Sequence, residues 1–108
     1  SSHVEYNPVG ANRNIKLMIV NNHYMLYEQL GKNKFSYALV KQASVKPFTQ
    51  KLFGNSQVEL NQAVTRLNSY DNLDAAKEYL SDLYYERNWE KVDSYAQRLW
   101  TLVENRFL

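Results

Sequence analysis

His23 is the side chain of this sequence that is best suited to acid–base chemistry. An imidazole titrates near neutral pH, so histidine serves enzymes as a general base, a general acid or a metal ligand. His23 directly follows Asn21-Asn22, and apolar runs flank this pair on both sides. Since two consecutive asparagines accept the positive φ angles of a type I′ turn, we predict a β-hairpin whose second strand begins at His23. The alternative is a histidine beside a turn, exposed or hydrogen-bonded, that takes no part in catalysis.

Metal binding and thiol chemistry have little support in this composition. The second histidine, His3, stands far from His23 in the chain, and no acidic cluster of matching spacing accompanies either of them. The chain has no cysteine, which excludes a disulfide, a thiol nucleophile and a thiolate metal site within these residues. We therefore predict no metal ion and no other cofactor.

The run from Ile15 to Tyr27 resembles the strand pair that carries the catalytic histidine in papain-like and OTU-type cysteine proteases. In those families an apolar strand leads into a histidine that is followed by an aromatic residue, as Tyr24 follows His23 here. The resemblance implies that His23 acts as a general base. Because this chain has no cysteine and no clear Asn or Asp orienting residue, it would be the C-terminal, His-bearing portion of a deubiquitinase-type domain whose nucleophile lies outside it.

The charged residues are distributed unevenly along the chain. Residues 1–53 carry seven Lys or Arg and two acidic residues, whereas residues 54–108 carry six basic and nine acidic ones. Aromatic residues lie among the lysines of the first half, as in surfaces that stack bases and neutralise phosphates. We therefore consider an accessory module that binds nucleic acid or an anionic membrane surface, although ordinary solubilising charge explains the same distribution. The candidate side chains are Lys32, Lys34, Lys41, Lys46 and Lys51.

Protein binding is the leading function that we predict. The last part of the chain carries large aromatic residues, a type enriched at the energetic centres of protein interfaces. If they are exposed together on the final helices, they form a protein-binding face. The candidates are Tyr85, Trp89, Trp100 and Phe107. On this interpretation the chain is a non-catalytic interaction module of a larger protein.

A three-stranded antiparallel meander over residues 14–40 is predicted to position these residues, after an extended lead-in over residues 1–13. With a two-residue turn, Val20 pairs with His23, and alternation places side chains on two faces. The apolar face, which is predicted to join the core, holds Ile15, Leu17, Ile19, Tyr24 and Leu26. The mixed face holds Lys16, Met18, Val20, His23, Met25 and Tyr27. On the third strand, Phe35, Tyr37 and Leu39 are predicted to line one side.

Residues 47–108 are predicted to form a bundle of three to four helices that covers the sheet. Pro47 is expected to begin a short helix that ends at Gly54, and Ser56 is expected to cap the next one. Asn88 is expected to cap the last helix. Together these elements give one α+β domain over residues 1–108.

The ends of the chain and its hydropathy bear on its context. No apolar run approaches the ~20 residues of a membrane-spanning helix, so we predict no transmembrane segment. The first residues lack the pattern of a signal peptide, and the last ones stop inside a helical pattern without a cap. We therefore expect a domain taken from a larger protein, and the lack of signal peptide and cysteine favours an intracellular one.

Overall fold

The chain folds into an antiparallel sheet followed by a helical bundle. The computed structural model describes residues 15–31, 34–37 and 43–107. The strands are β1 (Ile15–Val20), β2 (His23–Gly31), β3 (Lys34–Tyr37) and β4 (Ala43–Ser44). The helices are α1 (Val45–Leu52), α2 (Gln57–Asn68), α3 (Leu73–Glu86) and α4 (Asp93–Arg106), with a 3₁₀ turn at Trp89–Val92 between the last two. The predicted α+β class is confirmed.

The hairpin of β1 and β2 has the turn and the register that the sequence predicts. Asn21 and Asn22 have φ angles of 52° and 64°, the left-handed values of a type I′ turn. Val20 pairs with His23, and the register continues through the pair of Leu17 with Leu26. The inner face is apolar and packs into the core, since Leu17, Tyr24 and Leu26 are buried there.

On its other side β2 pairs with β3 and β4. Tyr27 is the partner of Tyr37 in β3, and His23 is the partner of Ser44 in β4, both antiparallel. The predicted lead-in over residues 1–13, and Leu39, lie outside the described residues. The side chains of Phe35 and Tyr37 also lie outside the description.

Helix α1 begins two residues earlier than predicted, at Val45 rather than Pro47. Proline is tolerated in the first turn of a helix, where a backbone N–H has no intrahelical partner, so Pro47 does not mark the first residue. The N–H of Val45 donates instead to the Asn22 carbonyl at 2.8 Å. The turn of the hairpin thus satisfies the first donor of α1.

A side-chain cap begins helix α2 at the residue that the sequence predicts. The Ser56 hydroxyl accepts the N–H of Glu59 at 3.2 Å, which confirms the predicted cap of α2. The prediction that Asn88 caps α4 is wrong. Asn88 adopts a left-handed φ of 55° ahead of the 3₁₀ turn. This turn places Trp89 in the core, so α4 begins only at Asp93.

The hydrophobic core lies between the inner face of the hairpin and the helices. Tyr24 and Phe48 pack with their ring centroids 5.0 Å apart, which joins β2 to α1. Phe53 and Trp89 meet edge to face at 5.6 Å, which joins the end of α1 to the 3₁₀ turn. The largest fully buried side chains are Trp89, Tyr24, Phe48, Phe53, Leu17, Leu26, Leu60, Leu67, Leu80, Leu99 and Val103.

Asn68, the last residue of α2, ties the helices to the edge of the sheet. Its Oδ1 accepts the N–H of Leu17 and its Nδ2 donates to the Leu17 carbonyl, both at 2.6 Å. Because Val20 and His23 close a two-residue turn as a hydrogen-bonded pair, alternation points the polar groups of Leu17 away from β2. Arg106 of α4 donates to the Asn68 carbonyl at 2.9 Å, a cation placed at the C-terminal end of α2. One residue therefore connects β1, α2 and α4.

We expect Asn68→Ala to lower the free energy of unfolding by about 2–3 kcal/mol, because it leaves a partly buried backbone donor and acceptor at Leu17 without partners. Urea denaturation measures the change. Asn61→Ala is the matched control, since Asn61 lies exposed on the same helix and accepts a hydrogen bond from exposed Gln57; its cost is expected below about 0.5 kcal/mol. Equal effects at the two positions would contradict the role assigned to Asn68.

We expect Tyr24→Phe to stabilise the fold by about 1 kcal/mol. The Tyr24 hydroxyl is buried and has no hydrogen-bond partner in the part of the chain that the structure describes, and burial raises its pKa far above the ordinary value. Tyr84→Phe is the control, because the Tyr84 hydroxyl donates to Asp93 at 2.8 Å; its removal is expected to destabilise the protein. Urea midpoints that fall for both variants would show that the Tyr24 hydroxyl is stabilising.

Candidate binding surface on the sheet

His23 lies exposed at the first position of β2, directly after the hairpin turn. Its Nδ1 is 2.8 Å from the carbonyl oxygen of Asn21. A carbonyl can only accept, so this contact is a hydrogen bond in which Nδ1 donates. It orients the ring and leaves Nε2 for contacts outside the hairpin.

The surroundings of His23 supply no catalytic carboxylate among the described side chains. Its cross-strand neighbours are Val20 and Ser44, neither of which is acidic. No group of three or more His, Asp or Glu residues able to hold a metal ion occurs within residues 15–31, 34–37 and 43–107. The protease resemblance and the catalytic role of His23 therefore stay predictions.

The outer face of the hairpin is largely apolar and partly exposed. We use this name for Lys16, Met18, Val20, His23, Met25 and Tyr27, which alternate with the core residues along β1 and β2. Met18 pairs with Met25 across the strands, and the Tyr27 hydroxyl donates to the Met25 sulfur at 3.5 Å. Apart from exposed His23, all of these side chains are half-buried and reach the surface in part. The pairs form a continuous strip because directly opposed residues touch across strands.

The centre of the strip consists of adaptable apolar side chains, so its chemistry favours contact with an apolar surface of a partner. Methionine is unbranched and polarisable, so paired methionines can fit surfaces of different shape. The basic side chains of the strip stand at its ends, since Lys16 is opposite Tyr27 and His23 directly follows the turn. None of its residues is acidic. The outer face therefore combines an apolar centre with ends that carry basic side chains.

Two of the aromatic residues predicted to bind a partner lie in the core instead. Trp89 is 1% exposed, and its indole N–H donates to the Leu52 carbonyl at 2.9 Å. Phe107 is 6% exposed and lies beneath the guanidinium of Arg106, 4.4 Å from the ring centroid. This placement corrects the prediction for both residues, because each ring fills space between helices and is closed to a partner.

The two remaining aromatic candidates do not form a patch with them. Trp100 is half-buried and packs against the core from α4. Tyr85 is 81% exposed on α3, and its ring meets that of Tyr84 edge to face at 5.7 Å. The predicted aromatic face of the final helices is therefore reduced to Tyr85 as a fully accessible ring.

The lysines of the first half are described in part. Lys46 and Lys51 are exposed on α1. Lys46 also lines, with Asn22 of the hairpin turn, an open depression of about 410 Å³ whose other walls come from Ser44 of β4, α1, the loop after α1 and the start of α2. Lys32 and Lys41 lie outside the described residues, as does the side chain of Lys34, so their convergence with the others stays a prediction.

The helical part of the chain matches a known family. A family model described as Domain of unknown function (DUF8457) matches residues 45–108, which is more than half of the chain. The chain belongs to this family. The DUF8457 match covers α1 to α4, and the hairpin with its outer face lies outside it. Comparisons with curated proteins and with solved structures find no match.

None of the helices in the described part of the chain is both long and apolar enough to cross a lipid bilayer. The identity of the partner, whether protein, nucleic acid or anionic membrane surface, stays a prediction.

Strand alternation predicts the mixed face for Met18, Val20, Met25 and Tyr27, but it does not identify them as binding residues. The available signal was the presence of apolar side chains on both faces of one hairpin. An antiparallel sheet that covers a core on one side usually shows polar residues on the other, so this departure indicates a second contact.

We expect Trp89→Phe to lower the free energy of unfolding by about 1–3 kcal/mol, because the buried Leu52 carbonyl loses its donor and the smaller ring leaves space in the core. Trp100→Phe is the matched control, and for this half-buried ring the expected loss is below about 1 kcal/mol. Urea denaturation followed by circular dichroism measures both. A larger loss for Trp100→Phe than for Trp89→Phe would contradict the placement of Trp89 in the core and of Trp100 at its margin.

Proposed function

We propose that this chain is a non-catalytic protein-interaction module that binds its partner through the outer face of the hairpin. The observation that carries the proposal is the pairing of Met18 with Met25 on the face turned away from the core. Val20 and Tyr27 extend this pair along both strands, so the apolar strip is contiguous. Its flexible methionines stand on a frame whose turn and register are fixed by Asn21-Asn22.

The described surface of the helices is less suited to binding a partner than the outer face is. Its large exposed apolar side chains are Val58 on α2 and Tyr85 on α3. Exposed Asn61 and Gln62 accompany Val58 on α2, and exposed Asp82 and Glu86 accompany Tyr85 on α3. Single apolar residues among polar ones are normal for a protein surface and do not indicate an interface.

The proposal is tested by selection followed by substitution. Peptides that bind the immobilised protein are selected from a random display library, and their affinities are measured for the parent and for two variants. Met25→Glu places a charge in the centre of the outer face, and we expect it to weaken binding more than about tenfold, since central residues dominate interface energies. Gln62→Glu adds the same charge to the exposed side of α2 and is expected to leave binding unchanged.

Circular dichroism and urea denaturation must show that both variants keep the fold. Selected peptides that bind Met25→Glu as tightly as the parent would place the interaction elsewhere and overturn the proposal. A selection that yields no binding peptide would also count against it.

A further inference from the structure

Basic side chains lie near both ends of the outer face. Lys16 stands at the end of the strip where β1 meets Tyr27 of β2. At the opposite end, His23 follows the turn, and Lys46 lies close to that turn because it shares the wall of a depression with Asn22. The bond from the Val45 N–H to the Asn22 carbonyl holds this end of the hairpin against the first residues of α1.

Acidic side chains are missing from this region of the described surface. None of the outer-face residues is acidic, and the depression beside the turn is lined by amide, hydroxyl, valine and lysine side chains without a carboxylate. Lys16 and Val20 are separated by roughly 13 Å along β1, at about 3.3 Å per residue of strand. The region therefore presents positive charge at both ends of an apolar strip that is long enough to seat a short peptide.

We infer that the partner of the outer face is an acidic amphipathic segment of another protein, an inference that rests on the proposed function. Its apolar side chains pack on Met18 and Met25, while its Asp or Glu residues lie at both ends and face Lys16 and Lys46. Complementary charges of this kind speed association and select the partner, and apolar contact supplies most of the affinity.

The same surface fits single-stranded nucleic acid less well. Base stacking needs open aromatic faces, and the outer face has two rings, that of exposed His23 at one end and that of half-buried Tyr27 at the other. The Tyr27 hydroxyl is engaged by the sulfur of Met25. Met18 and Met25 at the centre of the strip offer neither a ring for a base nor a charge for a phosphate.

The peptides selected on the outer face provide the test. We expect them to be enriched in Asp and Glu on both sides of an apolar centre. One such peptide is labelled and compared by fluorescence anisotropy with a twin in which Gln and Asn replace its acids. The twin is expected to bind more weakly by about tenfold or more, and the affinity of the acidic peptide is expected to fall as NaCl is raised.

Substitutions on the protein assign the charges. Lys16→Gln and Lys46→Gln are each expected to lower the affinity for the acidic peptide by about threefold to tenfold. The affinity for its twin is expected to stay unchanged. Lys91→Gln is the matched control, because Lys91 is exposed in the 3₁₀ turn, outside the hairpin and α1. Lys16→Glu is expected to regain affinity for a peptide whose facing acid is changed to Lys.

The outcomes separate the inference from the proposed function. One adverse result is that the selected peptides lose affinity for Met25→Glu and yet lack acidic residues, and another is that they bind both lysine variants as tightly as the parent. Either result would overturn the inference and leave the proposed function standing. Peptides indifferent to Met25→Glu would overturn both. If a single-stranded oligonucleotide binds the parent protein, and Lys16→Gln and Met25→Glu abolish that binding, the face would be assigned to nucleic acid. Light scattering that shows a dimer disrupted by Met25→Glu would assign it to a second copy of the chain.

Discussion

The amide of Asn68 holds the hairpin against the helices through its pair of hydrogen bonds to the backbone of Leu17. A primary amide offers a donor and an acceptor in nearly the spacing of a peptide group, so Asn68 takes the place of a residue in a neighbouring strand. The open edge of a sheet is a site where other chains can pair, and Asn68 closes the edge of β1 at this position. Because the Asn68 carbonyl is bound in turn by Arg106, the end of α4 fixes the same junction.

The candidate surface is a geometric consequence of this attachment. Side chains alternate along a strand, so the register that turns Leu17, Tyr24 and Leu26 into the core must turn Met18 and Met25 outward. The left-handed asparagines of the turn fix that register, since a slip of one residue would exchange the two faces. The position of the apolar strip thus depends on the same constraints as the core.

Local features of the fold could be predicted from the sequence, and distant contacts could not. The turn at Asn21-Asn22 and the cap at Ser56 follow from residues within a few positions of one another. The bond of Asn68 to Leu17 joins residues 51 positions apart, and no local pattern distinguishes Asn68 from an exposed asparagine. The burial of Trp89 depends on a 3₁₀ turn and on the Leu52 carbonyl, which accepts the indole N–H. Apolar periodicity indicates that such residues make contacts, but it does not distinguish an aromatic ring in the core from one that binds a partner.

The helices that carry the DUF8457 match and the hairpin that carries the candidate surface are joined at two points. Asn68 binds Leu17, next to Lys16 in β1, and Val45 binds Asn22 at the turn, so the strip is attached to the helical part near both of its ends. A surface held in this way loses little backbone freedom when a partner docks, which lowers the entropic cost of binding. The flexible side chains of Met18 and Met25 can still adjust to the partner's shape. The combination of a rigid frame with adaptable side chains explains how a short hairpin can serve as a binding surface.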